Sequence, residues 1–159
     1  MLTPECGWHS DTQHEKSDVV HDLLAFLAEE MVRLNKEKQA KIKEFLTWLE
    51  KEVLKGPVED QKNKTRIKNF HDGTFEGLLN ILKANNVVDD PCPSQTRATI
   101  EVEFDSAMAV LAPLKARIAA TDSLIDRIVY ELYGLSEEEI AIVEGKQSKG
   151  VLNVPALET

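Results

Sequence analysis

Three groups of residues in this sequence have the types and spacing that a chemical site would need. Cys6-x2-His9-x4-His14 offers a thiol and two imidazoles, ligand types that zinc prefers. Zinc also needs a fourth ligand, or a water at a catalytic site, and the other cysteine, Cys92, stands far away between Pro91 and Pro93. The cluster therefore reads as part of a polar tail, and no metal or other cofactor is expected. His71 beside Asp72 is an imidazole–carboxylate pair of the kind that moves protons. Nothing resembling a nucleophile or an oxyanion hole accompanies it, so no catalytic residue is assigned. The third group is Arg33, Lys36, Lys38, Lys41 and Lys43. Two readings of it stay open: a ridge that tracks a phosphate backbone, or the hydrated midsection of a helix whose charges pair locally.

The charge distribution bears on that choice. The chain has 159 residues and a net charge of −9. Residues 1–32 hold one lysine against seven acids, and residues 101–144 hold three basic groups against ten acids. Residues 33–68 reverse the sign, with eleven Lys/Arg against six acids. An acidic total opposes autonomous, tight DNA binding, because duplex affinity comes largely from neutralising phosphates. The basic middle leaves only a weak, local DNA contact open. Two cysteines 86 positions apart make no disulfide framework, which sets a reducing cytoplasm as the default. No apolar run approaches the roughly 20 residues needed to cross a bilayer, and the N-terminal stretch lacks the basic start and apolar core of a signal peptide.

The elements that would position these residues are helical. Residues 1–16 show no periodicity and read as a flexible tail, with Ser17 as the first N-cap. Apolar residues then fall at Val20, Leu24, Leu27, Met31 and Leu34 in four-three spacing, a coiled-coil-like seam. The seam continues through Lys38 to Ile42, Phe45, Leu49 and Val53, and the two successive steps of four around Lys38 are a stutter. Gly56-Pro57 should stop this helix near Leu54, after roughly 55 Å at about 1.5 Å per residue. A linker over 55–66 and a short helical turn at Ile67 and Phe70 should follow, broken at Asp72-Gly73. Thr74 should then cap a helix carrying Phe75, Leu78, Leu79, Ile81 and Leu82. Residues 87–102 read as a loop with a short extended piece at Ala98 to Val102. A second long helix is expected from Phe104 to Tyr133, kinked or restarted at Pro113, with Thr121 as a polar break in its seam. Tyr133-Gly134-Leu135 should close it, and Ser136 with Glu139 forms a capping box that opens another helix, stapled by Leu135 and Ile140. Residues 146–159 read as a second flexible tail, leaving one helical domain over 17–145.

Two of these stretches resemble a known family. IAATDSLIDRIVYELYGLSEEEIAIVEG, residues 118–145, is similar to the C-terminal end of many restriction-modification DNA adenine methyltransferases, particularly the large single-chain type IIG kind. LLAFLAEEMVRLNKEKQAKIKEFLTWLEKEV, residues 23–53, is similar to a segment upstream of that ending. The Asn-Pro-Pro-Tyr/Phe tetrapeptide that grips a flipped adenine is absent, as is a strand with a Gly-rich turn for S-adenosylmethionine. The resemblance thus implies a helical accessory region and not the catalytic domain.

The expected fold is all-α: an elongated bundle of two long antiparallel, coiled-coil-like helices with short accessory helices. The expected function is a non-catalytic spacer or docking module of a restriction-modification methyltransferase system; the alternative is a stand-alone helical oligomerisation or adaptor protein unrelated to DNA. If the second long helix is only about 45 Å, it covers part of the first. Phe45, Leu46, Trp48 and Leu49, or Leu23, Leu24 and Phe26 at the other end, would then need another chain. The expected partners are accordingly a second copy, as a two-fold dimer, or a methyltransferase or restriction subunit.

Overall fold

The computed structural model describes residues 11–146, with side chains from Ser17 onward. The regular structure is entirely helical, with no strand among the described residues. Helix α1 spans Asp11–Leu49 and continues as a π-helical turn over Glu50–Leu54. Helices α2 (Lys64–Lys68), α3 (Phe75–Ala84), α4 (Ser94–Tyr133) and α5 (Glu137–Val143) follow, with single 3₁₀ turns at Val58–Asp60 and Phe70–Asp72. The chain divides into two compact units, residues 25–122 and a smaller one made of residues 1–24 and 123–159.

Among the described residues every buried hydrophobic side chain lies in the larger unit, and the seam read from the sequence supplies the α1 part of it. Leu27, Leu34, Ile42, Phe45 and Leu49 of α1 are buried, while Met31, Lys38 and Val53 between or beyond them are half-buried. Lys38 thus occupies its stutter position with its stem in the seam, as a long cationic side chain can. The helical path ends at Lys55, which takes a left-handed φ of 54°, so the stop falls one residue before Gly56-Pro57. A Glu50 Oε1 accepts a 2.8 Å bond from the Val58 backbone N–H and ties the turn that follows.

The short elements close over the core as the spacing predicts. Ile67 and Phe70 are buried, and Thr74 Oγ1 accepts a 3.1 Å bond from the Gly77 N–H at the start of α3. At the other end of α3, Asn86 sits at φ 56°, and the Asn86 and Val87 N–H groups donate to the carbonyls of Lys83 and Leu82. That is a Schellman closure with asparagine in the left-handed position. Asn85 adds a cross-tie: its side chain accepts from the Lys62 N–H at 2.7 Å and donates to the Lys62 carbonyl at 3.1 Å.

Two expectations are corrected. The loop and extended piece assigned to 87–102 give way to helix from Ser94, with Ile100 fully buried. The β-branched residues Thr96, Thr99, Ile100 and Val102 favour extension locally, but Ile100, Phe104, Ala107, Leu111 and Leu114 share one buried face, and tertiary burial overrides a weak propensity. Pro113 lies inside α4, which neither restarts nor ends there, although this residue has no N–H for the helical ladder. The second correction concerns α1, which starts at Asp11, so Ser17 lies within the helix. No Pro or Gly separates residues 11–17, and an acid in the first turn suits the positive end of a helix. The remaining tail assignments, 1–10 and 147–159, lie outside the described residues.

In the smaller unit the close of α4 follows the sequence reading in detail. Gly134 is left-handed at φ 63°, its N–H donates to the Glu131 carbonyl at 3.2 Å, and the Leu135 N–H reaches the Tyr130 carbonyl at 3.0 Å. Two residues after Gly134, Ser136 Oγ accepts from the Glu139 N–H while the Glu139 carboxylate accepts from the Ser136 N–H at 2.8 Å. Leu135 and Ile140, the expected staple, are both half-buried.

Candidate interaction surface

The chemically suggestive residues are used structurally. The Asp72 carboxylate takes the Lys115 ammonium, and Lys115 Nζ also donates to the His71 carbonyl at 3.1 Å. The Lys115 hydrogen bond is the main reason the Asp72 carboxyl titrates below its ordinary range, reinforced by the charge of Lys115 and by His71, whose Nδ1 lies 3.1 Å away. This set pins the Phe70–Asp72 turn to α4. Thr74 Oγ1, the nearest hydroxyl in sequence, is occupied as a helix cap. Of the proposed metal cluster, Cys6 and His9 lie outside the described residues, as does the His14 side chain; Cys92 is half-buried, its thiol 3.6 Å from the Pro93 carbonyl. No group of three His, Cys, Asp or Glu with metal-site geometry occurs among the described residues.

The five basic residues of α1 do not form one cationic face. Arg33 is bound by Glu30 at 2.6 Å and Glu37 at 2.5 Å, and Lys41 by Glu44 at 3.1 Å. Lys38 is in the seam, which leaves Lys36 and Lys43, seven residues apart, as an exposed pair on one face. The Glu30 hydrogen bond, first among several carboxylate contacts, raises the Arg33 guanidinium further above neutral pH. The locally paired pattern is that of a solvated helix midsection.

The expected contact residues Phe45 and Leu49 are covered by this chain itself. Both are buried, and the Phe45 ring lies 4.2 Å from Phe70 and 6.3 Å from Phe104 by centroids. Leu46 and Trp48 are half-buried against the same core, with Trp48 5.8 Å from Phe45. The reason is length: α4 has 40 residues, not the shorter helix expected, and its added first turns supply Ile100 to the core beside Leu49. Of the four residues, Phe45 and Leu49 therefore serve this chain's own core, while Leu46 and Trp48 keep part of their surface open.

Uncovered apolar surface lies elsewhere. In the smaller unit no described residue is fully buried. Val20 and Leu23 of α1 and Leu124, Ile128 and Leu132 of α4 line a groove, with Arg127 and Glu131 on its sides. Leu132 is 57% exposed, Tyr133 74% and Ile142 72%, and Val143 is exposed with them. Leu23 was legible as one end of an uncovered seam. The contribution of α5 was not read, although its signal exists: Ile140, Ile142 and Val143 place apolar groups on more than one side of a seven-residue helix. None of the described helices is long and apolar enough to cross a membrane.

No curated protein and no solved structure matches this chain. A family model does match, over residues 17–129, which takes in the whole core-bearing unit and the groove residues from Val20 to Ile128. The chain therefore belongs to the family described as a domain of unknown function, DUF8810.

Proposed function

We propose that this DUF8810 protein is a non-catalytic helical docking module, and that its place is in a cytoplasmic restriction-modification DNA methyltransferase system. The observation that carries the docking reading is the exposed apolar surface of the smaller unit, at Leu132, Tyr133, Ile142 and Val143. Water-exposed apolar residues gathered at one set of helices mark contact with another molecule more often than isolated ones do. The methyltransferase context rests on the resemblance of residues 23–53 and 118–145 to helical segments of those enzymes. The proposed architecture sets α1 and α4 antiparallel in coiled-coil fashion; within residues 25–122 this is supported by the pairing of Phe45 with Phe104 and of Glu30 with Arg117 at 3.8 Å. The module would brace or dock the enzyme's parts without touching the transferred methyl group.

Size-exclusion chromatography with light scattering tests this. The purified chain is mixed with an adenine methyltransferase from its own host, and co-elution at the summed mass is expected. Separate elution of the two at micromolar concentration would count against the methyltransferase context. Should the chain instead elute alone as a dimer that dissociates when Leu132 is made polar, the stand-alone oligomerisation reading replaces it.

A further inference from the structure

Charge is divided between the two units far less evenly than length. The sequence of the smaller unit, residues 1–24 and 123–159, holds twelve acids against four bases, a net −8. Residues 25–122 hold sixteen acids against fifteen bases, a net −1. Nearly all of the chain's charge of −9 thus belongs to the unit that also carries the uncovered groove. The carboxylates described there, including Asp18, Asp22, Glu131 and Glu137, are exposed.

We infer that the groove of the smaller unit receives a basic amphipathic helix from a partner protein. The inference rests on the docking reading above and specifies the partner's chemistry. Apolar side chains on one face of such a helix would cover Leu23, Leu124 and Leu132. Lysines and arginines along its edges would meet Glu131 on the groove's side, and the net negative charge of the unit would steer the encounter. A second copy of this chain is the poorer occupant, because apposing two such units brings two net charges of −8 together. An anionic membrane surface is disfavoured on the same ground.

The test uses the full chain and a fluorescein-labelled, helix-forming peptide of about fourteen leucines and lysines, with the leucines on one face. Fluorescence anisotropy should show saturable binding that weakens with added salt. Leu124→Ser and Leu132→Ser together should weaken it by about ten-fold, whereas Val110→Ser on another part of α4 should leave it unchanged. All three side chains are solvent-exposed, and circular dichroism confirms that the variants keep their helix content. A scrambled peptide of equal composition, or one with glutamate in place of lysine, should bind at least ten-fold more weakly. Equal binding of the glutamate peptide would overturn the cationic partner and leave a purely apolar dock. Binding unaffected by the two serines would remove the groove from the interaction. If no peptide binds and light scattering gives a dimer that Leu132→Ser dissociates, a second copy is the occupant and only the docking reading survives. If no peptide binds and the chain is a monomer throughout, the cationic partner is overturned and docking through this groove loses its support.

Discussion

Replacing Leu49 by alanine separates a core residue from an interface residue. Leu49 is fully enclosed, in a cluster with Phe45, Ile100 and Phe104. Removing its isobutyl group loses about 1.5–3 kcal/mol of burial, and the cavity left behind raises the cost to about 2–5 kcal/mol. The upper part of that range applies because the cavity would be walled by several helices and two aromatic rings, which cannot all collapse into it. At about 4 kcal/mol the melting temperature should fall by roughly 8–16 °C for a chain of this size. Val102, also on α4 but 65% exposed, supplies the comparison: Val102→Ala should change stability by less than about 0.5 kcal/mol. Urea denaturation would be followed by far-UV circular dichroism and by tryptophan fluorescence, since Trp48 packs on this core. Light scattering on the same samples should give one mass for wild type and both variants. A Leu49→Ala midpoint equal to that of wild type, with a change in mass, would show that Leu49 serves another chain and not this one.

Gly134→Ala should destabilise the close of α4 by about 1 kcal/mol, because a Cβ is penalised at φ 63° even though the space around it is open; Gly56→Ala, which has neither a left-handed φ nor a close neighbour, should be neutral or slightly stabilising. Hydrogen exchange of the amides from Leu135 to Val143 reads the first effect directly, and equal protection in wild type and Gly134→Ala would refute it. Asp72→Asn should cost under about 1 kcal/mol near pH 6, given the exposure of the Lys115 pair. Because the folded-state carboxyl titrates below its unfolded value, that contribution is complete above the ordinary carboxylate range and is lost as pH falls through the lower folded value. The difference in urea midpoint between Asp72→Asn and wild type should therefore close towards about pH 2, and a constant difference would assign the effect to packing. Incubating the purified chain with labelled S-adenosylmethionine and duplex DNA should give no methyl incorporation; stoichiometric labelling would overturn the non-catalytic reading.

What the sequence determined by itself was periodic or local. The α1 seam from Leu27 to Leu49, the Thr74 cap, the Schellman close at Gly134 and the Ser136–Glu139 capping box depend on residues within a turn or two of one another, so spacing and backbone preference suffice. What tertiary structure decided was where those faces find cover. Thr99, Ile100 and Val102 read locally as extended, and burial of Ile100 against the core favours their place in the opening turns of α4. That extension then turned Phe45 and Leu49 from expected contact residues into core. The pairing of Lys115 with Asp72 joins residues 43 positions apart and has no sequence signal. The groove was half legible, in Val20 on the α1 seam and in Leu23 at the end expected to need cover, but its composition from two helices was not. A seam fixes which side chains share a face; only the packed chain determines whether that face is covered, because cover comes from residues distant in sequence.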